Sequence, residues 1–133
     1  AVVLGVWNKY QLTVAGATGA FYDSVEVLTD ENGRFKIKGL GLRLLSNVDE
    51  MDIMVFKAGY TSLDYASWSN YKTLTGSKFV TWDGAKMIVP LRKLSMEQLK
   101  NRHVTRVGLP DNREKLMTRE MNKDRVLLGY EPL

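Results

Sequence analysis

The chain's one histidine, His103, has no chemical partner in the sequence. The absence of cysteine excludes disulfide frameworks, thiolate zinc sites and thiol nucleophiles together. A histidine needs further ligands to hold a metal, or a nucleophile and an orienting acid to complete a catalytic triad. We place His103 on an exposed helix and expect it to have no catalytic or metal-binding role.

Three carboxylates, Asp49, Glu50 and Asp52, are close enough in sequence to hold calcium through oxygen ligands. Carboxylates on a turn are more often simply solvated, and residues 30–33 are too few for an EF-hand loop. The sequence contains no glycine-rich phosphate loop. It therefore predicts no cofactor, no metal site and no enzymatic activity.

The aromatic residues between positions 65 and 82 are the best candidates for a contact surface. They are Tyr65, Trp68, Tyr71 and Trp82. Tyr and Trp in loops can anchor a protein partner or stack on sugar rings. Alternatively, two or three of them fold back to cover the core. The sequence leaves core packing, a protein interface and carbohydrate binding open.

The net charge of +4 is spread along the chain. A nucleic-acid site would need clustered Lys and Arg with aromatic residues on one face. Between positions 113 and 125, the basic residues instead alternate with Glu114, Glu120 and Asp124, as on a solvated helix face. No apolar run approaches the roughly 20 residues that span a bilayer. We therefore expect no nucleic-acid partner and no membrane span.

The first half of the chain has the pattern of β structure. Residues 2–7 form a nearly continuous apolar run, which is typical of a buried strand. A glycine-containing connection at 16–19 leads into alternating residues at 21–28. Turn formers at 30–33 then predict a hairpin into a strand at 35–37.

Two further β-prone runs and one long connection follow before the pattern changes. Residues 53–56 are β-prone and end in a turn at Gly59 and Tyr60. Residues 60–82 have little periodicity, which predicts a long connection with a short strand near 78–82. Residues 86–91 are again strongly β-prone, and Pro90 marks a strand end or an edge.

Two helices are predicted after residue 94. Ser95 and Gln98 form a capping box, which predicts a helix over residues 96–106. Pro110 to Glu114 offers a second acidic start, and Gly129 suits a helix stop. The helices could pack on the β domain or reach a neighbour, and the sequence favours neither.

The order of these motifs resembles the carboxypeptidase regulatory-like domain, of the transthyretin-like (prealbumin-like) β-sandwich families. The likeness covers residues 1–60, with 87–91 as a closing strand. It rests on the opening Ala-Val-Val, on T-D-x-x-G-x-F-x-I at 29–37 and on v-x-k-x-G-Y at 55–60. The resemblance implies an Ig-like/transthyretin-like antiparallel β-sandwich over residues 1–94. A helical C-terminal extension, residues 95–133, lies outside the likeness.

One departure from the family concerns its first strand. Such domains begin with G-x-V-x-D and a T-G-x-P-I turn, whereas this sequence opens on Ala-Val-Val. An empty place would expose unpaired backbone along residues 2–7 or an adjacent strand. Either upstream residues or a neighbouring subunit would fill it by β-strand addition. The predicted assembly edge consists of Val2, Val3, Leu4, Val6 and Trp7.

The C-terminal part is the predicted assembly arm. Its contact residues are Leu116, Met117, Met121, Leu127, Leu128 and Tyr130. A head-to-tail contact of this kind does not close on itself and generates filaments. The resemblance implies a non-catalytic module that is extracellular, periplasmic or at the cell surface. We expect a structural, self-assembling protein with itself or another envelope protein as partner; the alternative is a carbohydrate- or protein-binding accessory domain of a larger secreted enzyme.

Overall fold

The computed structural model describes residues 1–40, 47–67, 80–104 and 106–133, with residues 65–67 described by their backbone alone. The strands of this part are β1 (Val2–Thr13), β2 (Gly16–Leu28), β3 (Asp52–Phe56), β4 (Leu63–Ser67), β5 (Thr81–Asp83) and β6 (Lys86–Ile88). The helices are α1 (Met96–Asn101) and α2 (Lys115–Leu127), with a short 3-10 turn at Pro110–Asn112. The prediction of a mainly β chain with helices near its C-terminal end is confirmed.

Strands β1 to β4 form an antiparallel sheet in the order β2-β1-β3-β4, and β5 pairs with β6 in a second, two-stranded sheet. Strand β1 is central, because Val2 lies opposite Leu28 of β2 on one side and Phe56 of β3 on the other. The prediction that β1 forms an assembly edge is therefore wrong. All five residues of that predicted edge are buried: Val2, Val3, Leu4, Val6 and Trp7.

One face of the four-stranded sheet packs against α2. Its side chains in this cluster are Val2, Leu4, Val6, Met54 and Phe56. Met117 and Met121, about one helical turn apart, insert among them and retain only 1% and 7% exposure. The prediction that these two methionines belong to an arm for a neighbour is wrong, because they complete the chain's own core. Leu116 packs at the margin of the same cluster.

The other face of the sheet carries a second cluster. It consists of Val3, Ile53, Val55, Leu63 and Val80. Phe35 and Ile37 pack against it from one side, and Trp82 and Met87 of the β5–β6 pair pack from another. Successive residues of β1 and β3 point to opposite faces, so the continuous apolar runs supply both clusters at once.

Beyond the sheet, β1 and β2 continue as a two-stranded ribbon. Its register shifts at Trp7 and Asn8, and its turn lies between Thr13 and Gly16. The predicted connection at residues 16–19 is wrong, because these residues belong to β2. The apolar residues at its tip are exposed, and Leu12 is 90% exposed.

The turn predicted at residues 30–33 is confirmed, but the hairpin is not. The Asp30 carboxylate accepts hydrogen bonds from the N–H groups of Asn32 and Arg34 at 2.9 and 2.8 Å. Gly33 has a φ of 75°, which favours glycine. Residues 35–37, however, belong to no strand ladder. They pack onto the second cluster through their side chains instead.

Segment boundaries differ from expectation at four places. Strand β4 falls within the predicted connection, because Ile53 and Val55 of β3 pair with its residues. Strand β6 stops at Ile88, and β5 begins at Thr81. The Ser95 capping box is present, but α1 ends at Asn101, so His103 lies beyond the helix and is exposed.

Candidate functional site

A cleft of about 1110 Å³ opens over the second cluster. One wall is the segment of residues 32–39, and the opposite wall is the segment of residues 85–91. Trp7, Met51 and Val55 line it from the sheet. Sites for small ligands usually range from roughly 300 to 1,000 Å³, so this cleft has room for a large ligand or a short peptide.

The first wall has the side-chain alternation of a β-strand. Phe35 and Ile37 are partly buried and pack on the second cluster, whereas Arg34, Lys36 and Lys38 are exposed. Alternation with a period of two is what a half-buried strand shows. In the described part of the chain, however, residues 35–39 make no backbone hydrogen bonds. This wall therefore has the side-chain pattern of a strand, with no ladder partner among the residues that the structure describes.

The second wall shows the same alternation. Met87, Val89 and Leu91 are partly buried against the second cluster, whereas Ile88 and Pro90 are exposed. Strand β6 pairs with β5 on one side, with Met87 opposite Trp82. On its other side it has no ladder partner among the described residues. Two strand-like walls thus line the same cleft.

Three cationic side chains line the cleft. They are Arg34, Lys57 and Lys86. None of them forms a salt bridge with a described residue, although the Lys57 ammonium lies 4.1 Å from the centroid of the Tyr60 ring. Glu50 is the one acidic residue among the described lining residues, and it has an interaction partner within the protein. The cleft therefore carries an excess of positive charge.

Of the four aromatic residues predicted as a contact surface, the structure describes the side chain of Trp82 alone. Trp82 is partly buried and packs on the second cluster, as the core alternative predicts. Tyr65 lies on β4, where the backbone alone is described. Trp68 and Tyr71 lie outside the described residues.

The carboxylates considered for calcium have protein partners. Asp49 accepts a hydrogen bond from the Tyr10 hydroxyl at 3.0 Å, which raises the pKa of Tyr10. Asp52 accepts one from the Asn8 amide at 3.1 Å. In the four described ranges, no group of three or more acidic, histidine or cysteine side chains could hold a metal ion.

The remaining arm residues lie beyond the buried part of α2. Leu127 and Tyr130 are 60% and 58% exposed. The Arg125 guanidinium lies 5.9 Å from the centroid of the Tyr130 ring and donates to the backbone carbonyl of Glu131. Leu128 is the C-cap of α2, and Gly129 ends it with a φ of 77°. This tail folds back on its own helix.

Two buried carboxylates, Glu114 before α2 and Asp124 within it, have partners in the chain's own structure. Asp124 pairs with Arg102 and accepts from the Gly59 N–H at 2.7 Å. Glu114 accepts from Arg106 at 2.9 Å and from the Gly108 N–H at 3.2 Å. Burial lowers the pKa of Arg102. These partners explain the buried charges as structural groups.

No protein-family model, curated protein or solved structure matches this chain. The resemblance to the carboxypeptidase regulatory-like domain consequently remains a prediction. A search of the described residues found no helix sufficiently long and apolar to cross a membrane.

The sequence contained a signal for the cleft that sequence reasoning missed. Apolar and polar residues alternate at 34–38, whereas residues 86–91 are a mostly apolar, β-prone run, and each run predicts a strand. Only the tertiary structure brings the two runs to one cleft, because they are about fifty positions apart in the sequence.

Proposed function

We propose that this chain is a non-catalytic structural module of a secreted or cell-envelope protein that self-associates by β-strand addition. The cleft would accept an extended strand from a neighbouring subunit. The observation that carries the proposal is the pair of strand-like walls, residues 35–39 and β6, which line one cleft and, among the described residues, lack a ladder partner on the cleft side. Backbone groups of this kind bind extended peptides.

An inserted strand would complete a second β layer. It would hydrogen-bond to both walls and place alternate side chains over the second cluster, where Val55 and Met51 line the cleft. The result would be two β layers around one core, which is the sandwich that the family resemblance implies. The proposal therefore accounts for the large opening over an otherwise well-packed core.

The pattern of charge also supports a non-catalytic role. The buried carboxylates Glu114 and Asp124 have backbone and guanidinium partners. A catalytic acid or base needs a perturbed proton affinity in a site that substrate can reach. In the described chain, the cleft contains one carboxylate, Glu50, and no histidine. Its lining is suited to binding an extended chain.

The contact is heterologous, because the cleft of one copy receives a different segment of the next. Repetition of such a contact produces open chains unless a rotation closes a ring. We therefore expect filaments or rings instead of a symmetric dimer. The extracellular or periplasmic setting rests on the resemblance of the residue 29–37 and 55–60 motifs.

A plug variant tests the proposal. Gly39 lines the cleft, has no atom within 4 Å of a built Cβ and has no positive φ, so Gly39→Trp fills the cleft without a backbone clash. Gly19→Trp is the matched control, because Gly19 is equally open but lies on the ribbon. Sedimentation velocity and negative-stain microscopy over a range of concentrations measure assembly.

We expect the wild-type protein and Gly39→Trp to differ. The wild type and Gly19→Trp should form ordered polymers, and Gly39→Trp should remain monomeric with an unchanged circular dichroism spectrum. A wild-type chain that stays monomeric at every concentration contradicts self-assembly. If that monomer binds a peptide or a glycan in the cleft, the accessory-domain alternative is supported instead.

A further inference from the structure

We infer that the cleft selects an acidic strand, in which carboxylate side chains alternate with apolar ones. The inference rests on the proposed function and adds the chemistry of the inserted segment. It follows from two properties of the cleft: an apolar lining made of Val55 and of partly buried residues packed on the second cluster, and cations on both walls and at the end of β3.

The three cations stand on different parts of the cleft. Arg34 precedes the partly buried Phe35 on one wall, and Lys86 begins β6 on the opposite wall. Lys57 directly follows β3, which ends at Phe56. An inserted strand would therefore pass cationic side chains on both of its edges.

The salt bridges of the described chain use other basic residues than these. Arg102, Arg106 and Arg113 each pair with a carboxylate of the chain. Arg34 and Lys86 are exposed and have no carboxylate partner among the described residues. Placing them beside an acidic strand supplies those partners, and placing a basic strand there creates like-charge contacts.

The inward and outward side chains of the strand have different requirements. Every second residue would point toward Val55, Phe35 and Leu91, so these positions favour apolar side chains. The residues between them would point outward, near the ends of the long Arg and Lys side chains. Carboxylates at these positions would bind guanidinium and ammonium groups. Backbone hydrogen bonds would hold the inserted strand in place, and the charged side chains of the cleft would select its sequence.

The probes are three synthetic linear peptides of equal length. Each alternates valine with one polar residue, which is glutamate, glutamine or lysine. Fluorescence anisotropy of the dye-labelled peptides measures binding to the full chain at low and at high salt. Gly39→Trp shows whether any binding occurs in the cleft.

The charge variant is Arg34→Glu with Lys86→Glu. Its matched control is Lys100→Glu with Lys115→Glu, which changes the net charge equally at exposed positions that do not line the cleft. We expect the glutamate peptide to bind best and the lysine peptide worst. The cleft variant should weaken binding of the glutamate peptide by about tenfold and reverse the preference, as expected when rim ion pairs become repulsive. The control variant should change it by less than about threefold.

The possible outcomes separate this inference from the proposed function. If all three peptides bind equally and Gly39→Trp abolishes binding, strand addition stands and the charge preference is overturned. If the control variant weakens binding as much as the cleft variant does, net charge alone attracts the peptide and the inference fails. If no peptide binds while the wild-type protein also stays monomeric, both the inference and the proposed function fail.

Discussion

Glu26 of β2 caps the first turn of α2, where its Oε1 accepts a hydrogen bond from the Met117 N–H at 2.6 Å. Its Oε2 accepts from the Leu116 N–H at 2.8 Å. The helix has no capping bond from the side chain of Glu114, its own N-cap residue. A carboxylate from the sheet thus satisfies two N–H groups at the positive end of the helix.

We predict that Glu26→Ala lowers the free energy of unfolding by about 1 to 2 kcal/mol, because two helix N–H groups lose their acceptor. Chemical denaturation followed by circular dichroism measures the change. Glu31→Ala is the control, because Glu31 is exposed in the turn after β2. Equal stability of the two variants would show that Glu26 does not hold α2 to the sheet.

The Arg102–Asp124 pair should be strongly coupled. Their side chains are 11% and 6% exposed, and Asp124 also accepts from the Gly59 N–H. Asp124→Ala should cost about 3 to 5 kcal/mol, because it leaves a buried guanidinium unpaired. In a double-mutant cycle, the double variant Arg102→Met/Asp124→Leu should lose clearly less stability than the sum of the losses for Arg102→Met alone and Asp124→Leu alone.

The exposed pair Arg113–Asp23 is the comparison for that cycle. Its side chains are 46% and 43% exposed. Arg113→Met should therefore cost less than about 1 kcal/mol. Additive effects at Arg102 and Asp124 would be inconsistent with a direct interaction between them.

Truncation distinguishes the core part of the C-terminal region from its tail. Deleting residues 107–133 removes Met117 and Met121 from the first cluster, so the shortened chain should fail to fold. Deleting residues 130–133 removes exposed side chains only, and the melting temperature should change by a few degrees at most. A cooperative melt of the 1–106 fragment would contradict the assignment of α2 to the core.

Gly33→Val tests the turn after β2. Gly33 has a φ of 75°, a conformation that a β-branched residue adopts only with strain. We expect a loss of about 1 to 3 kcal/mol in a thermal melt. Gly19→Val serves as the control, because Gly19 has no positive φ and no atom within 4 Å of a built Cβ. An unchanged melting temperature for Gly33→Val would contradict the assignment of a positive-φ turn at this position.

Glu120 should make stability depend on acid. Burial alone would raise its pKa, but hydrogen bonds from Lys123 and from the Ala58 N–H outweigh burial and lower it. The folded state therefore favours the ionised form of Glu120. This stabilisation is present above the unfolded pKa of about 4.3 and is lost as the pH falls through the lower folded pKa.

Denaturation at a series of pH values measures this effect. Glu120→Gln should lower stability at neutral pH and flatten the loss of stability in acid. Glu31→Gln should follow the wild-type pH profile, because Glu31 is exposed. An identical acid dependence for wild type and Glu120→Gln would show that this carboxylate is not favoured by folding.

The sequence alone determined several local features, because their causes are local. The apolar run at 2–7 predicted a buried strand and the β-prone run at 53–56 predicted a strand, and both are present. The Ser95–Gln98 capping box and the Asp30 turn were also predicted, since each is closed by hydrogen bonds within a few residues. These interactions require only neighbouring residues.

Tertiary structure decided which elements are central and what covers them. Residues 2–6 pair on both sides because β2 and β3 both reach them, which no local pattern states. Met117 and Met121 at helical spacing fit either a core or an interface, and packing against Phe56 made them core. The cleft lies between two strand-like walls that are far apart in the sequence. Only the fold as a whole brings such distant segments to one place.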